Sequence, residues 1–130
     1  MPGIGAVRQV ALSAGRDLDA TLAFWLDVLG MGLHSRFDPP GIAFIMAGQV
    51  RLLFTDGVPA GTVYLDISDL DGFHATAKAA GVPFTMPPAL THNDAEGLFG
   101  KAGESEWMAF LKDPAGNTIG LVERRPPQHQ

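Results

Sequence analysis

Two short runs of this chain alternate apolar and polar residues. In "VRQVALS", residues 7–13, Val10 and Leu12 oppose Gln9, Ala11 and Ser13; in "TVYLDI", residues 62–67, Val63, Leu65 and Ile67 oppose Thr62, Tyr64 and Asp66. A period of two is the mark of a strand with one face buried. Each run leads into Asp-Leu-Asp, at 17–19 and 69–71, and then into apolar residues at helical spacing. These are Leu18, Leu22, Trp25 (or Leu26) and Leu29 in the first copy, and Leu70, Phe73, Ala77 and Ala80 in the second. Asp17, and Ser68 or Asp69, stand where a helix needs an N-cap, and Gly30 and Gly81 where it must stop. His74, within the second helix, is expected to face solvent.

More strand-like segments follow each glycine. "GLHSRFD" precedes "IAFIMAGQVRLLF" in the first copy; "VPFTM" precedes, after a gap, "EWMAFLKDPAGNTIGLV" in the second. The unit is therefore strand, helix and three strands, repeated. It predicts an α+β fold in one domain spanning 1–130, with module 1 at about 6–56, module 2 at about 60–123 and an exposed tail from 124 to 130. The gap, "PPALTHNDAEGLFGKAGES", has only "DPPG" as its counterpart in module 1. A polar, Gly-rich stretch of that size reads as a binding loop or lid.

Composition narrows the function. A net charge of −5 and a pI near 5.1 argue against nucleic acid as the partner. The absence of cysteine excludes disulfides, thiolate metal sites and a Cys nucleophile. "MPGIGAVRQV" lacks the pattern of a secretory leader, and no apolar run reaches the roughly 18 residues of a membrane span, so a cytoplasmic protein without a membrane partner is expected. No G-x-S-x-G, H-E-x-x-H, P-loop or EF-hand pattern occurs, and "GIGAV" lacks the strand-to-helix context of a dinucleotide site. Gly120 is the oddity, a missing side chain midway along an otherwise apolar strand.

The repeat, "DLDATLAFWLDVLGM" and "WMAFLKDPAGNTIGLVE" together resemble the vicinal oxygen chelate superfamily over about residues 6 to 123. That group includes glyoxalases, extradiol dioxygenases, methylmalonyl-CoA epimerases, and bleomycin- and fosfomycin-resistance proteins. The resemblance implies two βαβββ modules forming a highly curved mixed sheet around a cup, with helices outside. It also maps the positions at which metal-using members hold their ion onto Gln9, Thr62, Gly120 and, by pseudo-symmetry, the neighbourhood of Leu52. Of these only Gln9 keeps a potential ligand, a neutral amide, whereas a divalent cation wants carboxylate or imidazole donors. No metal and no cofactor are therefore expected, and Gly120 should leave empty volume where a ligating carboxylate would be. A relocated site from His92, Glu106 and Asp66 is the metal-dependent alternative, a lyase or dioxygenase.

Alternation then sorts the expected cup lining. Gly120 brings Thr118 and Val122 with it; Glu106, Met108 and Phe110 follow on the preceding strand; Ile42, Phe44, Met46, Val50, Leu52 and Phe54 come from module 1. Gln9, Tyr64, Asp66 and Glu106 punctuate this apolar surface with polar groups, and Thr62 joins the expected ligand-binding positions. The alternative is that the same residues simply pack as a core or a dimer interface. Glu106, beside Trp107 and Met108, reads as a desolvated carboxyl suited to proton transfer. His92 on the loop would shuttle a proton, Tyr64 and Asp66 would orient the ligand, and His34 and Arg36 would edge the rim. Two functional readings follow. One is a metal-independent acid–base enzyme of isomerase, lyase or cyclase type, in which Glu106, helped by His92 or Tyr64, moves a proton on a hydrophobic small molecule. The other is a non-catalytic binder or resistance protein relying on Phe44, Phe54, Phe110 and Trp107 for stacking. By analogy with the family, the chain is expected to form a homodimer.

Overall fold

A computed structural model describes residues 3–127, and in it the repeated unit is plain. The chain divides into two compact units, the first reaching Thr62 and including Asp113–Asn117, the second holding Val63–Lys112 and the residues from Thr118 onward. The first unit contains β1 (Gln9–Ser13), α1 (Leu18–Ala23), β2 (Leu33–Phe37), β3 (Ile42–Ala47) and β4 (Val50–Thr55). Its sheet runs β1-β4-β3-β2, with β1 parallel to β4 and the other pairs antiparallel. The remaining elements are β5 (Thr62–Asp66), α2 (Leu70–Ala79), β6 (Met86–Asp94), β7 (Glu104–Lys112) and β8 (Thr118–Arg125). Their sheet is ordered β5-β8-β7-β6, matching the first strand for strand.

Local chemistry explains the helix ends. The carboxylate of Asp17 accepts from the Ala20 amide at 3.2 Å and that of Asp69 from the Gly72 amide at 3.0 Å, each satisfying an otherwise orphaned donor. Gly30 (φ 72°) and Gly81 (φ 84°) close the helices in the left-handed region that glycine tolerates. Between these points α1 widens into a π-turn at Phe24–Val28, in which the Leu29 amide donates to the Phe24 carbonyl at 3.1 Å. Within that turn Trp25, rather than Leu26, is wholly buried, edge-on to Phe54 with ring centroids 5.1 Å apart. Leu12, Leu22, Ala43, Ile45 and Leu52 complete this core; Leu70, Ala77, Ala109, Leu111, Ile119 and Leu121 form the core beneath α2.

Several expectations need correction. The β3–β4 hairpin turns on Gly48 and Gln49, so Ala47 pairs with Val50, Ile45 with Leu52 and Phe44 with Leu53. A two-residue turn pairs even with odd positions, and residues directly opposite share a face. Leu52 and Phe54 therefore lie on the helix-covered side, at 1% and 0% exposure, and not with Ile42, Phe44 and Met46. Arg51 and Leu53 stand there instead.

About half of the expected loop is strand. β6 pairs with β7 from Met86↔Phe110 to Asp94↔Glu104, leaving residues 95–103 as the turn. Register breaks between Met86 and Ala89 and between Leu90 and His92 spoil its alternation, and its prolines, Pro87 and Pro88, are tolerated because β6 is an edge strand. "VPFTM" contributes only Met86 to it. At the other end β8 continues to Arg125, so the predicted tail begins too early; its last residues, 128–130, lie outside the described residues. His74 does not simply face solvent: its ring packs edge-on to Phe84 at 4.7 Å.

Candidate ligand-binding face

The side of the second sheet away from its core carries most of the sequence-predicted site. Pairing of β7 with β8 sets Phe110 opposite Gly120, Met108 opposite Val122 and Glu106 opposite Arg124. Tyr64, on neighbouring β5, meets Phe110 edge-to-face with centroids 5.7 Å apart and planes at 84°. The two rings close over Gly120. A Cβ there would lie 2.6 Å from Tyr64 Cδ2 and 2.8 Å from Phe110 Cε1. The missing side chain thus does not leave empty volume, as expected from the sequence; its place is taken by the rings. Gly120→Ala is expected to cost about 1–2 kcal/mol of stability in urea unfolding, a penalty that shrinks in a Tyr64→Ala background because that ring is then absent.

The far end of the same face is ionic. Arg124 donates from Nε to Glu104 Oε1 at 2.9 Å, from one terminal nitrogen to Glu106 Oε2 at 2.7 Å, and from the other to Asp94 Oδ2 at 2.9 Å. Glu106 is therefore not the isolated desolvated carboxyl expected for proton transfer; a guanidinium neutralises it. Asp94 is buried and also accepts the amides of Leu98 (2.8 Å) and Phe99 (3.0 Å), which closes the turn onto Arg124. The Phe99 amide, then that of Leu98 and the Arg124 guanidinium, hold its carboxyl down at about 2 against the opposing effect of desolvation. Leu98 and Phe99 themselves project into solvent.

Of the three predicted catalytic residues, two come together. His92 is the cross-strand partner of Glu106, exposed, with its ring 6.1 Å from that of Phe99, but no hydrogen bond links it to Glu106 among the described residues. Tyr64 belongs to the aromatic end; Gly120 and Arg124 mark the two ends, four strand residues or about 13 Å apart. Thr62 and Asp66 are exposed on β5, on the same side as Tyr64. Sequence reasoning missed Arg124 and Asp94. The signal for Arg124 was present, since alternation from Gly120 through Val122 leads to it, but the Pro-rich sequence beyond suggested a tail.

In the first sheet the corresponding face carries Gln9, Phe44 and Leu53 with Arg51, whose guanidinium carbon lies 6.0 Å from the Phe44 ring centroid. Phe37 meets Phe44 edge-on at 6.2 Å. Arg36 is engaged by Asp19 and Asp38, and His34 Nδ1 lies 3.0 Å from Ser35 Oγ.

The metal positions implied by the family do not fit a divalent ion in this chain. Gln9 and Thr62 offer only neutral oxygens, Gly120 offers none, and the corrected register replaces buried Leu52 by Leu53 or Arg51. Among the described residues no three His, Asp or Glu side chains are grouped so as to hold a metal ion. The carboxylates that do converge are bound to Arg124.

The family model "Glyoxalase/Bleomycin resistance protein/Dioxygenase superfamily" matches residues 8–121, and the chain belongs to that superfamily. Solved structures share its fold. A lactoylglutathione lyase from Agrobacterium tumefaciens is 23% identical with a TM-score of 0.71, covering 94% of this chain and 96% of its own. A superfamily member from Sphaerobacter thermophilus is 23% identical at 0.69, covering 92% and 98%, and a virulence protein from Salmonella typhimurium is 16% identical at 0.72, covering 94% and 98%. No curated protein sequence matches significantly. Among the described residues no helix is long and apolar enough to cross a membrane.

Proposed function

We propose that this protein binds a small, largely apolar organic molecule on the face of its second sheet opposite α2, without a metal ion, and that its task is binding rather than proton transfer. The observation that carries this reading is the aromatic pair of Tyr64 and Phe110 over Gly120, flanked by Met108 and Val122. Apolar side chains left partly open beside a few polar groups are what a small-molecule site requires. Phe37, Phe44, Met46 and Leu53 supply a similar surface in the first sheet.

Glu106 supports the binding reading. A general base must be free to take a proton, and Glu106 is held by Arg124 at 2.7 Å. Its neighbour His92 is the observation that favours the acid–base reading. Native mass spectrometry of gently purified protein is expected to retain an apolar small molecule, one per chain. Against that molecule, Glu106→Gln is expected to leave affinity within about threefold of wild type and no turnover to be found. Turnover by the wild type, abolished in Glu106→Gln with affinity retained, would establish the enzyme instead.

A further inference from the structure

Tyr64 is the chain's single tyrosine, and its setting is not that of a core aromatic. The residue is 55% exposed, and its hydroxyl makes no hydrogen bond to any described residue. Beneath its ring lies Gly120, which places no side chain of its own there; a methyl group would collide with it. Its wall is Phe110, at the perpendicular orientation that lets the positive edge of one ring meet the negative face of the other. Tyr64 thus lies in a slot bounded by Gly120 below and Phe110 at one side and open to solvent elsewhere. Among the described residues Phe110 is its one aromatic partner.

We infer that the slot above Gly120 is a seat for a flat, phenol-sized aromatic group of the ligand, and that Tyr64 occupies it in the free protein and swings out to admit that group. The inference rests on the binding function proposed above and names the chemistry that the face selects. A ligand ring taking the place of Tyr64 repeats its contact with Phe110, and a polar substituent on the ring points to solvent, as the Tyr64 hydroxyl does. Saturated rings and branched chains lack both the flatness and the partially positive edge of an aromatic ring, so they are selected against. Tyr64 is thereby a specificity-determining side chain that competes with the ligand it admits.

Competition gives a counter-intuitive result. Deleting a residue in the binding face should tighten binding, by the worth of the ring contact that no longer has to be displaced. With 4-fluorophenol as the probe and fluorine NMR as the readout, Tyr64→Ala is expected to bind roughly two- to tenfold more tightly than wild type. Tyr64→Phe, which keeps the competing ring, is expected to bind more weakly than Tyr64→Ala. Adding Phe110→Leu to Tyr64→Ala should cancel the gain, with thermal melts confirming that each variant is folded. Without any probe, the Gly120 α-protons should shift in Tyr64→Ala as the ring current above them disappears. Unchanged or weaker binding in Tyr64→Ala, or no saturable binding to any variant, would overturn the seat. Retention of an apolar molecule in native mass spectra with the seat refuted would leave the broader binding function standing. Absence of any retained molecule alongside a confirmed seat would refute the broader reading alone.

Discussion

Asp113→Ala is expected to destabilise the protein by about 3–4 kcal/mol, lowering Tm by about 10–15 °C. Asp113 is buried, at 5% exposure, and both of its carboxylate oxygens are fully used. Oδ2 accepts from the indole nitrogen of Trp25 at 2.9 Å and from Asn117 Nδ2 at 2.8 Å; Oδ1 accepts the amides of Ala115 at 3.0 Å and Asn117 at 2.9 Å. Removing the carboxylate strands buried donors on the indole and the Asn117 amide, and an unmet buried donor costs more than the bond itself contributed. Asn117 extends the brace: its side chain accepts the amides of Ser13 (3.2 Å) and Gly61 (3.0 Å) and donates to the Ser13 carbonyl (2.8 Å). Urea unfolding followed by tryptophan fluorescence measures the effect. Asp113→Asn, which keeps one carbonyl oxygen, is expected to lose roughly half as much. A change below about 1 kcal/mol for Asp113→Ala would refute the account.

Arg124→Met is expected to produce the second large effect, a fall in Tm of about 10 °C together with release of the 95–103 turn. Three carboxylates, Asp94, Glu104 and Glu106, lose their shared cation at once, and the side chain of Asp94 is only 1% exposed. Like charges left together out of water repel and cannot be rehydrated without opening the structure. The turn is the part free to give way, since it leans on Arg124 so closely that a Cβ at Gly100 would lie 2.8 Å from the guanidinium. Trypsin should then cut after Lys101 in the variant and not in the wild type. Acid titration gives an independent check. A folded-state carboxyl near 2, against an ordinary 3.8, stabilises the fold above the higher value and loses that contribution as pH falls toward the lower. In Arg124→Met the depression is smaller, so the acid limb of the stability curve should flatten between those values. An unchanged limb would mean that Arg124 contributes nothing to Asp94.

The two large predictions differ in how far the sequence foretold them. Asp113 and Asn117 stand in the "DPAGN" stretch that marks the last hairpin, so a turn there is legible. Their partners, Trp25 and Ser13, lie about ninety to a hundred positions away, and no local pattern names them. Arg124 was legible as a charged residue on the strand face of Gly120 only to a reader who let β8 run past the family's closing "VE".

What the sequence determined by itself is the set of local elements: two strand–helix–three-strand units, their capping aspartates, their terminating glycines and the alternation that puts Val10, Leu12, Val63 and Leu65 toward the cores. Each follows from interactions within a few residues, whose periods of two and 3.6 survive in a one-dimensional reading. Only the tertiary structure decided the β3–β4 register that buries Leu52 and Phe54, the bulged pairing that makes a strand of about half the supposed loop, the rings that cover Gly120 and the guanidinium that claims Glu106. These depend on which residues meet across strands, and a one-residue change in pairing reverses every face while leaving the local pattern untouched.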